Sequence, residues 1–181
     1  MYQAIGVVEL KSLAKGVEAC DTALKSAGVR LVVAHPTCPG KYEIIVTGAI
    51  ADVTAAMDVV KSRFGDAIID CSVMGRIDPA VITALFGTQV AERKGSVGII
   101  ETFSGSSAIK AADIAVKTAH VALYDLRISR GMGGKGMVII TGDVGDVSAA
   151  VEAGAAHATM EGLLNTTSVI AAPHPELWEQ R

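Results

Sequence analysis

Residues 4–33, AIGVVELKSLAKGVEACDTALKSAGVRLVV, align without a gap on residues 96–125, SVGIIETFSGSSAIKAADIAVKTAHVALYD. In that frame Gly6 meets Gly98, Glu9 meets Glu101, Asp21 meets Asp113, Lys25 meets Lys117 and Leu31 meets Leu123. Past Pro36 the frame shifts by two, and GKYEIIVTGAIADVTAA (40–56) matches GKGMVIITGDVGDVSAA (134–150). So many identities in order mean that the chain is two copies of one unit, the second two residues longer in one loop. The expected domains are 1–87 and 96–181. The polar stretch 88–95 between them is too short for freely moving domains.

Each copy reads as β-α-β-β-α-β. AIGVVEL is a short apolar run suited to a buried strand. In the helix that follows, Ser12 is the expected N-cap and Gly28 the stop, with Leu13, Val17, Cys20 and Leu24 on one face as its core side. VRLVVA and YEIIVTG are β-branched strands separated by a Pro/Gly loop. DVTAAMDVVKSRF is a second helix with Asp52 as its expected cap, AIIDCSVM a fourth strand, and DPAVITALFG a short closing helix with Pro79 in its first turn. That order is the split βαβ, or ferredoxin-like, arrangement, an α/β fold with helices layered on one face of each sheet.

Composition narrows the function classes. Half of the 181 residues are apolar and the mean hydropathy is +0.43, yet only 4% are aromatic, so the cores are built from Ala, Val, Ile and Leu. A domain this apolar is expected to bury further surface against other subunits. A net charge of -3 without runs of like charge offers no footprint for nucleic acid and no basic patch for a membrane. The apolar segments fall far short of the roughly 20 residues that span a bilayer. The N-terminus shows no signal core, and Cys20, Cys38 and Cys71 form an odd set without CxxC spacing; both features point to the reducing cytosol.

The stretch His35-Pro36-Thr37-Cys38-Pro39-Gly40-Lys41 holds one thiol between two prolines beside a glycine. Both prolines fix φ and Gly40 permits a turn, so the loop presents its sulfur with little ordering entropy to lose on binding. Taken by itself, Cys38 is either an unligated thiol in a tight turn or a ligand completed from outside the chain. Cys20, on a helix, and Cys71, in a strand, read as core thiols. His35 reads as a turn histidine or one lining the approach to Cys38, while His120, His157 and His174 lack metal-ligand spacing. RGMGGKG (130–136) lacks the spacing of a phosphate loop, and its lysine is not followed by Ser or Thr. Glu9 and Glu101 recur as structural residues of the repeat. No nucleophile, base and orienting acid come together, so catalytic residues are not expected and the chain does not read as an enzyme. A further alternative is an enzyme or small-molecule sensor built on ferredoxin-like domains, for which the sequence predicts neither a specific ligand nor turnover.

VGIIET, AADIAVKTAHV, GKGMVIITGDVGDVSAAVEAG and VIAAPHPELW resemble the shell-protein domain of bacterial microcompartments, over nearly the whole chain and twice. Single-domain members form hexagonal tiles with a central pore. A tandem member resembles a homotrimer whose six domains mimic the hexamer. The Cys-Pro-Gly of the first copy is similar to the tandem type found in propanediol-utilisation compartments. The resemblance implies a pore lined by Thr37, Cys38, Pro39 and Gly40 in copy one and by Ser129, Arg130, Gly131, Met132, Gly133 and Gly134 in copy two. It implies tile edges at Lys25 and Lys117, and other shell proteins as partners. The family's Arg-Pro-His edge motif is incomplete: copy two has Ala172-Pro173-His174 and copy one has Arg76-Ile77-Asp78.

The same resemblance changes the ligand count at Cys38. An iron-sulfur cluster ordinarily takes about four thiolates, which one chain with scattered cysteines cannot supply. A three-fold axis repeats Cys38 three times around one point. The implied cofactor is one 4Fe-4S cluster per trimer, with Cys38 as its metal ligand and one iron left to an external group. The implied role is electron transfer across the shell, or cluster exchange, with lumen redox enzymes as partners. The alternative is a metabolite-conducting pore without a cluster.

Overall fold

The computed structural model describes residues 4–87, 94–129 and 131–178. The chain forms two compact units, one of Met1–Ile77 with Ser129–Gly134, the other of Asp78–Ile128 with Lys135–Arg181.

The first unit contains β1 (Ala4–Leu10), α1 (Leu13–Ser26), β2 (Arg30–Thr37), β3 (Lys41–Gly48), α2 (Ile50–Phe64) and β4 (Ile68–Gly75). Its sheet runs β2-β3-β1-β4 with every pair antiparallel, which is the expected split βαβ topology. Val8, Leu10, Ile44, Val46, Val53, Met57 and Val60 form the core between sheet and helices. Ser12 caps α1 as expected, its hydroxyl accepting the Lys15 N–H at 3.3 Å. Asp52 is not a cap: Ala49 holds that position, and Asp52 lies in the first turn of α2, where its carboxylate faces the positive end of the helix.

The buried face of α1 differs from the expected one. Gly16, Ala19, Cys20 and Ala23 point inward, whereas Leu13, Val17 and Leu24 are 45%, 57% and 38% exposed. The reason is close approach. A Cβ on Gly16 would overlap Tyr42 of β3, so the helix lies too near the sheet for large residues beneath it. The strand β2 also runs further than expected, through His35 and Pro36 to Thr37. It is an edge strand of its sheet, where a proline without an N–H is tolerated.

The second unit contains α3 (Pro79–Leu85), β5 (Ser96–Thr102), α4 (Gly105–Thr118), β6 (Val121–Ile128), β7 (Gly136–Gly142), α5 (Val144–Met160) and β8 (Leu164–Ile170), followed by a 3-10 turn at Pro175–Trp178. Its antiparallel sheet repeats the order as β6-β7-β5-β8. Ile100, Ile109, Leu123 and Ile140 are its largest fully buried side chains. The helix α3 closes the first sequence copy yet packs on β6 and α4. The Asp78 side chain caps it by accepting the Ala80 N–H at 2.8 Å, and the Asp78 N–H donates to Asp113 Oδ1 at 2.8 Å. The repeat read from sequence and the compact unit therefore divide the chain at different places, residue 87 and residue 77.

Candidate functional site at the Cys38 turn

Thr37 pairs with Lys41, so Cys38, Pro39 and Gly40 alone make the turn between β2 and β3. Gly40 has φ +76°, a left-handed conformation that costs glycine nothing, and the Cys38–Pro39 peptide is cis. Cys38 is exposed, as are Pro39 and Gly40, while Thr37 beneath them is buried. The other two thiols are unlike it. Burial, reinforced by the Asp21 charge, raises the pKa of Cys20; burial, opposed by Lys61, pushes Cys71 up to about 11. At both, burial disfavours the thiolate that a metal would take as its ligand.

Beneath the turn the strand register lines up polar residues. Glu43 lies opposite His35 on one side and Glu9 on the other. Glu9 and Glu43 have no solvent exposure. Lys41 Nζ donates to Glu9 Oε2 at 3.2 Å, and His35 Nε2 lies 3.4 Å from Glu43 Oε2. Lys41 supplies the positive charge that buried Glu9 requires, whereas both carboxyl oxygens of Glu43 and His35 Nε2 are buried without a hydrogen-bond partner among the described residues. The second copy repeats only part of this arrangement: Lys135 binds Glu101 at 2.8 Å, and there both side chains are partly exposed.

The loop Ser129–Gly134 belongs to the same compact unit as Cys38. Its backbone is left-handed at Ser129 (φ 58°), Gly131, Gly133 and Gly134. Gly134 is buried against the Cys38 turn: a Cβ there would lie 2.9 Å from the Cys38 carbonyl oxygen and 3.0 Å from Lys41 Nζ. Met132 is half-buried, Gly131 and Gly133 are exposed, and Arg130 lies outside the described residues. Thr37 Oγ1 and Ser129 Oγ, both buried, have no hydrogen-bond partner among the described residues.

The remaining sequence candidates lie away from the turn. Lys25 binds Asp21 at 2.8 Å and Lys117 binds Asp113 at 2.6 Å, each one turn apart on its helix. Of the incomplete edge motif, Arg76 adopts φ 52° and Asp78 starts α3. Among the described residues no three His, Cys, Asp or Glu side chains are grouped to hold a metal. No helix among them is long and apolar enough to cross a membrane. Sequence reasoning missed the His35–Glu43–Glu9–Lys41 row. The turn at Cys38 sets the pairing of His35 with Glu43, but Glu9 enters from β1, whose register that turn does not fix.

Residues 4–77 and 96–173 match the BMC domain, so the family covers both repeats. Over 99% of this chain and 98% of its own length, the bacterial microcompartment shell protein PduT of Citrobacter freundii is 41% identical. The bacterial microcompartment shell protein PduA of the same organism is 41% identical over 45% of this chain, about the length of one repeat, and 86% of its own length. The crystal structure of a microcompartment protein from Desulfitobacterium hafniense superposes with a TM-score of 0.91 at 39% identity, covering 99% of this chain and all of that one. With both repeats matched and the fold shared over its full length, the chain belongs to the BMC-domain family as a tandem, structural shell protein of bacterial microcompartments.

Proposed function

We propose that three copies of this shell protein close around a three-fold axis on the Cys38 turn, and that three Cys38 thiolates hold one 4Fe-4S cluster there. The observation that carries this reading is the contrast in exposure: Cys38 is exposed on a turn of three residues, while Cys20 is buried and Cys71 partly buried against the core. One chain presents a single usable sulfur, and among the described residues no ligand group surrounds it. An iron site at Cys38 must therefore draw on several chains. Three thiolates leave one iron to an external ligand. When bound, such a cluster supplies one-electron transfer, here across the shell or to lumen redox enzymes.

The short hairpin, with only three residues in its turn, holds the sulfur in a fixed direction. Domains 1–87 and 96–181 would supply alternate sectors of the trimer. The loop at Ser129–Gly134 is the counterpart pore loop, and Lys25 and Lys117 face neighbouring tiles of other shell proteins. The full-length likeness to PduT supports a compartment of the propanediol-utilisation class.

Anaerobic purification tests the reading. The expected product is a brown trimer with broad visible absorption and about four iron atoms per three chains, with colour and iron lost in Cys38→Ser while the trimer stays intact. A colourless trimer without iron after anaerobic reconstitution would overturn the cluster and favour an open pore passing small metabolites.

A further inference from the structure

The copy that bears Cys38 contains a buried pair that the other copy lacks. In each unit the lysine-paired glutamate of the first strand lies opposite a residue of the strand after the turn: Glu9 opposite Glu43, and Glu101 opposite Met137. On the other side Glu43 pairs with His35, and Met137 with Arg127. Lys41–Glu9 and Lys135–Glu101 are thus common to both copies, whereas His35–Glu43 occurs only in the copy with Cys38.

Glu43 has no solvent exposure, and neither of its carboxyl oxygens has a hydrogen-bond partner among the described residues. His35 Nε2, 3.4 Å from Oε2, has none either. Glu9 and Glu43 alternate with the core residues Val8, Leu10 and Ile44, so they face away from α1 and α2. The charged groups facing the pair across the sheet are Glu9 of β1, which already holds Lys41 of β3, and Asp70 of β4 beyond it. The described residues of the loop Ser129–Gly134 add no charge. Among the described residues no third His, Cys, Asp or Glu joins to make a metal site. A buried carboxylate with open acceptor positions and a histidine beside it is equipped instead to take a proton. Solvent reaches the pair through His35, whose side chain is 18% exposed although Nε2 is buried.

The pair is also close to the turn. Residues two apart share a strand face, so His35 and Thr37 lie on one side of β2, with Glu43 and Lys41 across from them. Two residues along a strand span roughly 7 Å, and the Thr37–Lys41 pair closes the Cys38 turn. Charges this close within a protein are little screened.

We propose that Glu43, with His35, is the proton acceptor of the Cys38 site, so that one electron entering the cluster proposed above, on which this step rests, is matched by one proton on the Glu43 carboxylate. A one-electron donor supplies the electron, and solvent the proton. An N–H bond forms at His35 Nδ1 as the Nε2 proton passes to Glu43 Oε2, where an O–H bond forms. Reoxidation reverses both transfers, and the net charge of the site is the same before and after.

Redox titration of the anaerobic trimer between about pH 5 and 8, where histidine changes charge, tests this. The reduction constant should fall about tenfold per pH unit, a slope of about 59 mV for one electron. Stoichiometric reduction in weak buffer should take up one proton per electron. Glu43→Gln, and Glu43→Met with the side chain that the second copy has there, should keep the cluster, lose the slope and take up no proton. A cluster potential independent of pH overturns the proton site and leaves the cluster standing, as does a slope that persists in both variants. A trimer that binds no iron overturns the cluster and the proton coupling together.

Discussion

Lys41 holds its ammonium 3.2 Å from Oε2 of Glu9, a carboxylate with no solvent exposure. Its repeat counterpart, Lys135 with Glu101, is shorter at 2.8 Å but partly open to water. Burial rather than distance decides what each is worth. Lys41→Met leaves a buried carboxylate short of its cation and should destabilise the protein by roughly 3 kcal/mol or more. Lys135→Met should cost less than about 1 kcal/mol. Urea unfolding of the two variants checks the ranking, and equal losses would contradict it.

The Lys135 pair also gives a pH dependence. The hydrogen bond from Lys135, followed by that from Asn165, lowers the Glu101 pKa below the usual carboxylate range. A depressed folded-state pKa means that the unfolded chain binds the proton more readily. The stabilisation is therefore fully present above the ordinary glutamate pKa and is lost as pH falls through the lowered one. Lys135→Met should flatten the fall in stability below pH ~4.3, the reference value for Glu, and change little in the slope above it. Thermal melts across that range would show either outcome.

Thiol chemistry should distinguish the three cysteines in the metal-free protein. Near pH 8, one thiol per chain, Cys38, should react quickly with an aromatic disulfide reagent, and all three after denaturation. Cys71, pushed up to about 11, offers almost no thiolate under native conditions. Fast modification of two thiols in the folded Cys38→Ser variant would contradict this assignment.

Gly134 is left-handed at φ +87° and meets the Cys38 carbonyl. Gly134→Ala adds strain of about 1–2 kcal/mol for the backbone alone, before any clash. The loop should lift from the turn, and the sign of that is faster labelling of Cys38. Gly131→Ala, with nothing near its missing Cβ, should carry the backbone strain without altering the labelling rate.

The repeat made the fold legible, because two copies with the same apolar periodicity and the same glycines must share a topology. Both the strand order and the Ser12 cap follow from local chemistry. The orientation of α1 did not, because periodicity marked Leu13, Val17 and Leu24 as apolar without revealing that Gly16 presses on Tyr42. The placement of α3 was equally hidden: Asp78 reads as an N-cap, and its second bond to Asp113 is a tertiary fact. At the site, Cys38 stood out by its prolines and glycine. The carboxylate row beneath it required the register of three strands, which a single run of letters does not display.

The inward glycine and alanines of α1, with leucine and valine on its outer side, have a thermodynamic consequence. Leu13, Val17 and Leu24 keep apolar area in water that a second copy would cover, so in the trimer proposed above folding and association are linked by mass action. The melting temperature should rise with protein concentration, and dilution should act on this chain much as a mild denaturant acts on a monomer.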